Sequence, residues 1–327
     1  MKKSKWMFYL LLITSTMIAL SSNNWISLWI SLELNMMSFI PLLLNKSNKS
    51  SSEAAMIYFL VQSVSSMLML MMVLISMLNY SMQSYIINFT ITISLLIKLG
   101  AAPFHLWMPE IMSKMEWNKC SILMTWQKIM PLMMISYMNN MIIIYISIIM
   151  SVMIGSLGGI NQSSLRKMMA YSSINHLGWL LIINKSMNLW IIYLTIYSLL
   201  VLLTCWMFMY YKMYFINQVN NINMNNMEKT SFFLMMLSMG GLPPFIGFLP
   251  KWITIQSMIN EKEFIMVLIM IMFSLIILLY YLRVMTNMYL SFNSSIKWIT
   301  IYNNKLLTSI IFMINLSLPI ILIMDII

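Results

Sequence analysis

Charge is scarce in this sequence. Only 8% of its 327 residues are Asp, Glu, Lys or Arg, whereas a soluble globular domain carries about 25%. A chain with so few charges, and with 61% hydrophobic residues, cannot cover a water-facing surface. The shortage of charge therefore excludes a soluble enzyme, a disordered chain and a nucleic-acid-binding protein.

Cysteine and cofactor motifs are scarce as well. Cys120 and Cys205 are the two cysteines, and they lie far apart without a CxxC or metal-ligand spacing, which favours free thiols over a disulfide. The sequence also lacks a P-loop, a GxGxxG fingerprint, a haem or zinc spacing and a defensible Ser–His–acid arrangement. We therefore predict that this chain itself binds no metal and no cofactor.

Methionine, in contrast, is abundant, and arginine is rare. The chain has 42 Met, and only Arg166 and Arg283 among its 19 basic residues are arginine. This bias indicates an AT-rich coding genome in which ATA encodes methionine, as in invertebrate mitochondria. The alternative is that flexible methionine side chains simply fill membrane cores.

Long apolar runs dominate the sequence. A bilayer core of about 30 Å is crossed by about 20 apolar residues in a helix. Runs of that size predict an all-α polytopic membrane protein with about eleven transmembrane helices. The predicted spans are residues 6–21, 24–44, 56–79, 85–104, 118–138, 141–160, 166–184, 188–211, 231–257, 264–290 and 306–325.

The N-terminal run has two interpretations. Lys2, Lys3 and Lys5 precede it, and Ala19–Ser21 resembles a signal-peptidase site. Because many more spans follow, we favour a first membrane helix with a basic flank over a cleaved signal peptide.

The basic residues between the spans predict the orientation of the chain. The side that holds the N-terminus carries Lys2, Lys3, Lys5, Lys46, Lys49, Lys114, Lys119, Arg166, Lys167, Lys212, Lys229, Arg283, Lys297 and Lys305. The opposite side carries Lys185 and Lys262. Since basic residues accumulate on the side from which a membrane protein is inserted, the N-terminus is predicted on the cytosolic or matrix side.

Four charged residues lie inside the predicted spans: Glu33, Lys98, Lys128 and Lys251. A charge at the bilayer centre costs about 2.5–3.5 kcal/mol on insertion scales, so such residues indicate an ion or proton pathway. Snorkelling of the side chain to the headgroups is the alternative for Lys98 and Lys251, which lie near predicted helix ends. It is a poor explanation for Lys128 and for the short side chain of Glu33.

Two of the predicted spans contain helix-breaking residues. Glycine and proline interrupt the stretches 98–107 and 240–252, and broken helices are tolerated in a membrane where the backbone faces protein or a wet cavity. The two breaks are five helices apart. We therefore predict antiporter-like inverted five-helix repeats over residues 1–138 and 139–290, followed by an extra C-terminal helix in 291–327.

A proton relay needs groups that can exchange a proton. Burial disfavours the charged form of a lysine and a nearby carboxylate favours it, so we predict that Glu33 pairs with Lys98. His176, inside the seventh span, suits a water-linked relay because imidazole titrates near neutral pH. A hydrogen-bonded structural histidine is the alternative.

Five stretches of the chain, in order, carry a family resemblance. They are Trp29–Pro41 (WISLELNMMSFIP), Leu95–Trp107 (LLIKLGAAPFHLW), Thr125–Pro131 (TWQKIMP), Asn161–Trp179 (NQSSLRKMMAYSSINHLGW) and Gly240–Trp252 (GGLPPFIGFLPKW). These stretches resemble the chain 2 family of mitochondrial NADH–ubiquinone oxidoreductase, the proton-pumping membrane subunits of respiratory complex I. The composition is similar to that of arthropod members.

The resemblance implies a role for each charged residue. Glu33 and Lys98 would form a pair that modulates the channel, Lys128 would be the central relay, and Lys251 would be the terminal lysine. His176 also matches a family position.

The resemblance further implies a place in the mitochondrial inner membrane, with the N-terminus in the matrix. The expected partners are a neighbouring antiporter-like subunit, small membrane subunits and lipids, and no nucleic acid. NADH, flavin, iron–sulfur clusters and ubiquinone would be used by other subunits of the complex.

Two other functions stay open at this point. One is a free-standing cation–proton antiporter of the same fold. The other is a structural membrane subunit without a proton path, against which the four intramembrane charges argue.

Overall fold

The chain is almost entirely helical. In the computed structural model, the described residues are 2–44, 48–78, 84–138, 141–184, 186–221, 224–290 and 305–319. Within these ranges the regular elements are all helices, and one isolated β-bridge joins Ser164 and Phe215. The helices are α1 (Lys2–Ser21), α2 (Trp25–Leu43), α3 (Lys49–Met77), α4 (Ser84–Leu99), α5 (Trp107–Lys114), α6 (Trp117–Met124), α7 (Trp126–Ser136), α8 (Met141–Ile160), α9 (Leu165–Ile183), α10 (Met187–Tyr210), α11 (Ile216–Asn221), α12 (Asn226–Gly240), α13 (Phe248–Asn260), α14 (Phe264–Leu290) and α15 (Lys305–Asn315). The predicted all-α class is confirmed.

Several helices are long and apolar enough to cross a bilayer. In the described ranges, five such helices cover Trp25–Leu43, Lys49–Met77, Ile142–Ile160, Asn188–Tyr210 and Phe264–Tyr289. Shorter apolar helices cover Lys5–Ser21 and Ser84–Leu99. The outer faces of α3 and α14 expose many Met, Leu and Ile side chains, a surface suited to lipid or to another membrane subunit.

Helices lie at the predicted spans, although some bounds differ: α3 begins at Lys49 rather than 56, and α4 ends at Leu99 rather than 104. The short helix α5 lies between the predicted spans 85–104 and 118–138, and α11 lies between the predicted spans 188–211 and 231–257. The span predicted at 118–138 is interrupted at Thr125 and divides into α6 and α7. The Thr125 hydroxyl donates to the Ser121 carbonyl at 2.7 Å, a local bond that competes with regular helix geometry. The predicted span 306–325 falls partly outside the described residues.

Helix α9 lies in the interior of the bundle, although its sequence is the least apolar of the predicted spans. Nearly all of its residues from Met168 to Ile183 are buried. Because other helices surround it, polar side chains on α9 face protein rather than lipid. Helix α8 packs directly against it at Gly155, where an added Cβ would lie 2.7 Å from the Asn175 backbone nitrogen. The small side chain of Gly155 thus allows α8 and α9 to pack closely.

Basic side chains tie the helices together at one end of the bundle. Lys114 of α5 forms ion pairs with Glu53 of α3 at 3.1 Å and with Glu110 at 3.2 Å. Lys119 of α6 donates to the Leu43 carbonyl at the end of α2, at 2.9 Å. Similar bonds at 2.6 and 2.7 Å run from Arg166 to the Met115 carbonyl and from Arg283 to the Ile160 carbonyl. Of the basic residues used for the predicted orientation, Lys46, Lys185 and Lys297 lie outside the described residues.

Candidate functional site

A lysine adjoins each of three helix breaks in the interior. Lys98 lies in the last turn of α4, Lys128 in the first turn of α7 and Lys251 in the first turn of α13. Their side chains are only 6%, 2% and 4% exposed, respectively. The snorkelling alternative requires Lys98 and Lys251 to reach the surface of the chain. Because both side chains are buried, the structure argues against that alternative.

The two breaks predicted from glycine and proline share part of their backbone hydrogen-bond pattern. Each begins at a glycine with positive φ, +69° at Gly100 and +78° at Gly241, a conformation that glycine adopts without steric penalty. In each, the next residue donates to the carbonyl five residues back, at 3.1 and 3.4 Å. A second backbone bond follows in each break. Phe104 donates to the Ala101 carbonyl at 2.9 Å, and Phe245 donates to the Leu242 carbonyl at 3.1 Å. The two breaks therefore resemble each other in glycine conformation and backbone hydrogen bonds. They differ in one respect, because among the described residues a cis peptide bond occurs at the first break, at Ala102–Pro103, and not at the second.

Side chains satisfy carbonyl groups that these breaks release. The indole nitrogen of Trp107 donates to the Ile97 carbonyl at 3.2 Å, as a second donor beside the Gly100 backbone at 3.1 Å. At the second break, the Lys251 ammonium donates to the Gly240 carbonyl at 2.6 Å. Such bonds are needed because an unpaired carbonyl within a membrane costs several kcal/mol.

Lys98 and Lys128 line the same internal cavity. The cavity is narrow and has room for about one water molecule. Its other polar side chains are Asn35, Tyr58, Gln62 and Gln127. The fold thus brings together two of the predicted site residues, which are 30 positions apart in sequence.

Lys128 connects this cavity to helices α9 and α10. Its ammonium donates to the Ser173 carbonyl at 3.1 Å and to the Tyr197 hydroxyl at 3.4 Å. It also lies 4.9 Å from the centre of the Tyr197 ring, a favourable position for a cation over an aromatic face.

His176 lies next to this group on α9. Its ring centre is 4.7 Å from that of Tyr197, and its Nδ1 atom is 2.9 Å from the Tyr193 hydroxyl oxygen. Among the described residues, its Nε2 atom is buried without a hydrogen-bond partner. His176 interacts electrostatically with both Lys251 and Lys128. The fold therefore brings it close enough for the charge of either lysine to affect it.

Lys251 is near the same helix but has different neighbours. Its ammonium is 5.9 Å from the centre of the Trp179 ring on α9. Its side chain also covers Gly241, where an added Cβ would lie 2.7 Å from the ammonium nitrogen. Lys251 is thus held between the second break and α9.

Glu33 stands apart from the buried lysines. It is half-buried on α2 and interacts electrostatically with Lys98. No ion pair within 4.0 Å joins these two described residues. The two residues of the predicted pair are therefore not in direct contact in this structure.

Sequence reasoning missed the uncharged polar residues around the lysines. Tyr193 and Tyr197 contact His176 from α10, and Asn35, Gln62 and Gln127 line the cavity of the two lysines. An amide side chain inside an apolar span is itself a signal, because it needs a hydrogen-bond partner in a membrane. The sequence therefore shows which amide residues need a hydrogen-bond partner, but it does not show which residues those partners are.

The structure also reports on metal and thiol chemistry. In the described part of the chain, no group of three or more His, Cys, Asp or Glu side chains could hold a metal ion. Cys120 and Cys205 are both free and buried, as the sequence predicts.

The fold defines the class of protein. Residues 22–277 match the family described as NADH:quinone oxidoreductase/Mrp antiporter, TM. A chain of respiratory complex I from Thermus thermophilus superposes with a TM-score of 0.81 at 19% identity, over 95% of this chain and 77% of that one. A chain of the Mrp complex from a Dietzia species gives 0.76 at 16% identity, over 87% and 60%. The protein is therefore an antiporter-like membrane protein.

Sequence relatives identify the family more closely. NADH-ubiquinone oxidoreductase chain 2 of Anopheles gambiae is 44% identical over 94% of this chain and 93% of its own length. The same chain of Locusta migratoria is 40% identical over 94% and 92%. This chain belongs to the NADH-ubiquinone oxidoreductase chain 2 family. Membership in that family favours a subunit of the oxidoreductase over a free-standing antiporter.

Proposed function

We propose that this chain moves protons across the membrane through a relay of Lys98, Lys128, His176 and Lys251, with Glu33 controlling the charge of Lys98. The energy comes from NADH:ubiquinone electron transfer in other subunits of complex I. Those subunits carry the flavin and iron–sulfur clusters and use the NADH and ubiquinone. This chain contributes the proton path.

The shared cavity of Lys98 and Lys128 is the observation that carries the proposal. An ammonium and an amine that border one narrow space can exchange a proton through intervening water. In that step Lys98 loses a proton and becomes neutral, and Lys128 gains it and becomes charged. Burial of both side chains favours keeping one of the two neutral at a time.

His176 continues the path toward Lys251. It lies beside Tyr197, which accepts a bond from Lys128, and it feels the charge of both lysines. A positive charge on Lys128 therefore disfavours protonation of His176. When Lys128 loses its proton, this repulsion ends. Repulsion between successive proton carriers thus favours passing the proton onward, while electron transfer in the other subunits supplies the energy.

The positive-φ glycine and the similar hydrogen bonds of the two breaks support a two-repeat architecture. The repeats would cover residues 1–138 and 139–290, with an extra helix in 291–327 and eleven spans in all. Helix pairs α4–α5 and α12–α13 would be the corresponding broken helices. The additional break at Thr125 belongs to the first repeat.

The location and partners follow from the proposed function. The chain would lie in the mitochondrial inner membrane with its N-terminus, and the basic end of the bundle, in the matrix. Its neighbours would be another antiporter-like subunit and small membrane subunits. Their contact surfaces, and those of lipids, would include the exposed apolar faces of α3 and α14.

Replacement of Lys128 tests the relay. Lys128→Met keeps a long unbranched side chain but removes its charge and its bond to the Ser173 carbonyl. In the assembled complex in sealed vesicles, we expect NADH oxidation to continue and the proton-to-electron ratio to fall. Lys119→Met is the matched control, because Lys119 is also buried and also bonds a carbonyl, but at the end of the bundle. An unchanged ratio in Lys128→Met would exclude the proposed relay.

A native gel of source membranes tests the assignment to the complex. In mild detergent, this chain should migrate with a very large band that oxidises NADH. Migration alone at small size would instead favour the free-standing antiporter.

A further inference from the structure

Two amide side chains bind each other across the interior of the bundle. Asn35 of α2 donates to Gln127 of α7 through Nδ2 and Oε1 at 2.7 Å, and Gln127 donates back through Nε2 and Oδ1 at 3.2 Å. The Tyr58 hydroxyl of α3 donates to the same Gln127 oxygen at 3.3 Å. The three side chains therefore join three helices in one small hydrogen-bonded group.

This amide group lies in the wall of the cavity that Lys98 and Lys128 share. Asn35, Tyr58 and Gln127 all line that cavity, and Gln127 directly precedes Lys128 in α7. Asn35 is 4% exposed, so it has no access to bulk water as an alternative partner. The cavity wall is completed by Gln62, whose amide donates to the Lys98 carbonyl at 3.2 Å.

An amide side chain can hold water molecules in place through hydrogen bonds, but it cannot store a proton. An amide does not titrate in the physiological range, but it offers both donors and an acceptor. In the observed arrangement, the facing donors and acceptors of Asn35 and Gln127 are used on each other. If the pair opens, the same groups become available to water molecules beside the two lysines.

We propose that Asn35, Gln127 and Tyr58 form a gate that positions water between Lys98 and Lys128, and that their mutual hydrogen bonds are its closed state. This inference rests on the proposed proton relay and names the residues that control one of its steps. Closed, the group holds α2 and α3 against α7 and withholds its polar atoms from water. Open, it completes a water bridge along which one proton passes from the Lys98 ammonium to the Lys128 amine.

The competing explanation is that the amide pair only fastens α2 to α7. Asn184 provides a matched control for that explanation. It is 3% exposed, and its amide donates to the Leu132 carbonyl of the same helix α7 at 2.9 Å, but it does not line the cavity of the two lysines. Loss of either amide should weaken the packing of α7, whereas only loss of the gate should alter proton transfer.

The test compares Gln127→Leu with Asn184→Leu in the assembled complex, reconstituted in sealed vesicles. The measured quantities are NADH oxidation, the proton-to-electron ratio and the dependence of that ratio on pH. We expect Gln127→Leu to oxidise NADH with a reduced ratio and a changed pH profile, and Asn184→Leu to keep the ratio and profile of the native protein. A native ratio in Gln127→Leu, or an equal loss in both variants, would overturn the gate.

Two further variants keep the test decisive if Gln127→Leu does not assemble. Tyr58→Phe deletes one hydroxyl and keeps the ring that packs on Phe39 and Trp107, and we expect it to assemble and to pump less. The exchange Asn35→Gln with Gln127→Asn preserves two facing amides and their combined length, and we expect it to retain most of the native ratio. Native pumping by Tyr58→Phe would overturn the proposal, as would loss of pumping in the exchanged pair once it assembles.

Failure of the gate is distinguishable from failure of the relay. If Lys128→Met lowers the ratio and the gate variants do not, the relay stands and the gate is wrong. If Lys128→Met also keeps the native ratio, the relay itself is wrong, and the gate has no step to control.

Discussion

The Lys251 ammonium donates a 2.6 Å hydrogen bond to the carbonyl oxygen of Gly240, across the break between α12 and α13. The bond gives the Gly240 carbonyl a hydrogen-bond partner at the point where the helix is interrupted. It also fixes the lysine side chain over Gly241. The break and the buried charge are therefore parts of one structure. A change in the backbone at this position should displace the lysine.

Gly241→Ala tests this link. Gly241 has a φ of +78°, and a Cβ there would meet the Lys251 side chain at 2.7–2.8 Å. The left-handed conformation alone costs an L-residue about 1–2 kcal/mol. We expect a lower thermal stability of the assembled complex and a lower proton-to-electron ratio.

Gly240→Ala is the matched control for that substitution. Its added Cβ would find its nearest atom at 3.5 Å, an ordinary contact. We expect stability and pumping close to native values. Equal effects of the two alanines would show that the position of Lys251 does not depend on the break.

A double-mutant cycle on His176 and Tyr193 tests their contact. Each of His176→Phe and Tyr193→Phe removes the 2.9 Å bond between the imidazole and the hydroxyl, worth about 0.5–1.5 kcal/mol for a typical hydrogen bond. If the two groups act together, the double variant should pump no worse than the poorer single variant. Proton pumping is measured at equal rates of NADH oxidation. Additive losses would mean that the two side chains act separately.

Glu33→Gln tests the electrostatic influence of the α2 carboxylate on Lys98. The substitution removes a charge without changing the shape of the side chain. Because no ion pair within 4.0 Å joins these described residues, we expect normal assembly and a reduced proton-to-electron ratio. Glu53→Gln is the control, since Glu53 pairs with Lys114 at the end of the bundle, and it should leave the ratio unchanged. Unchanged pumping in Glu33→Gln would exclude the predicted pair.

Gly155→Ala tests the packing of α8 on α9. The added Cβ would lie 2.7 Å from the Asn175 nitrogen and 2.8 Å from the Tyr171 carbonyl oxygen, both backbone atoms that cannot rotate away. Overpacking of this kind costs about 1–3 kcal/mol. We expect less assembled complex and a lower midpoint of thermal denaturation, measured against Ser147→Ala, a small buried change on the same helix. Native stability in Gly155→Ala would mean that α8 and α9 can move apart freely.

Most of the fold is readable from the sequence because a membrane constrains each helix separately. A span needs about 20 apolar residues whatever its neighbours are, so the bounds of α2, α8 and α10 follow closely from local composition. The breaks at Gly100 and Gly241 are local too, since glycine and proline act on their own backbone. The break at Thr125 was missed because no glycine or proline marks it, and the short helix α5 was missed because its eight residues are too few to form a pattern.

The sequence by itself determined that this is a polytopic helical protein with four charges inside its spans, and it named those residues. The tertiary structure decided which of them meet: Lys98 and Lys128 share a cavity, whereas Glu33 stays out of contact with Lys98. It also decided that Asn35 binds Gln127 and that His176 binds Tyr193. The physical reason is range, since insertion into a membrane depends on each segment's own composition, whereas a hydrogen bond depends on helix packing that brings distant residues within about 3 Å.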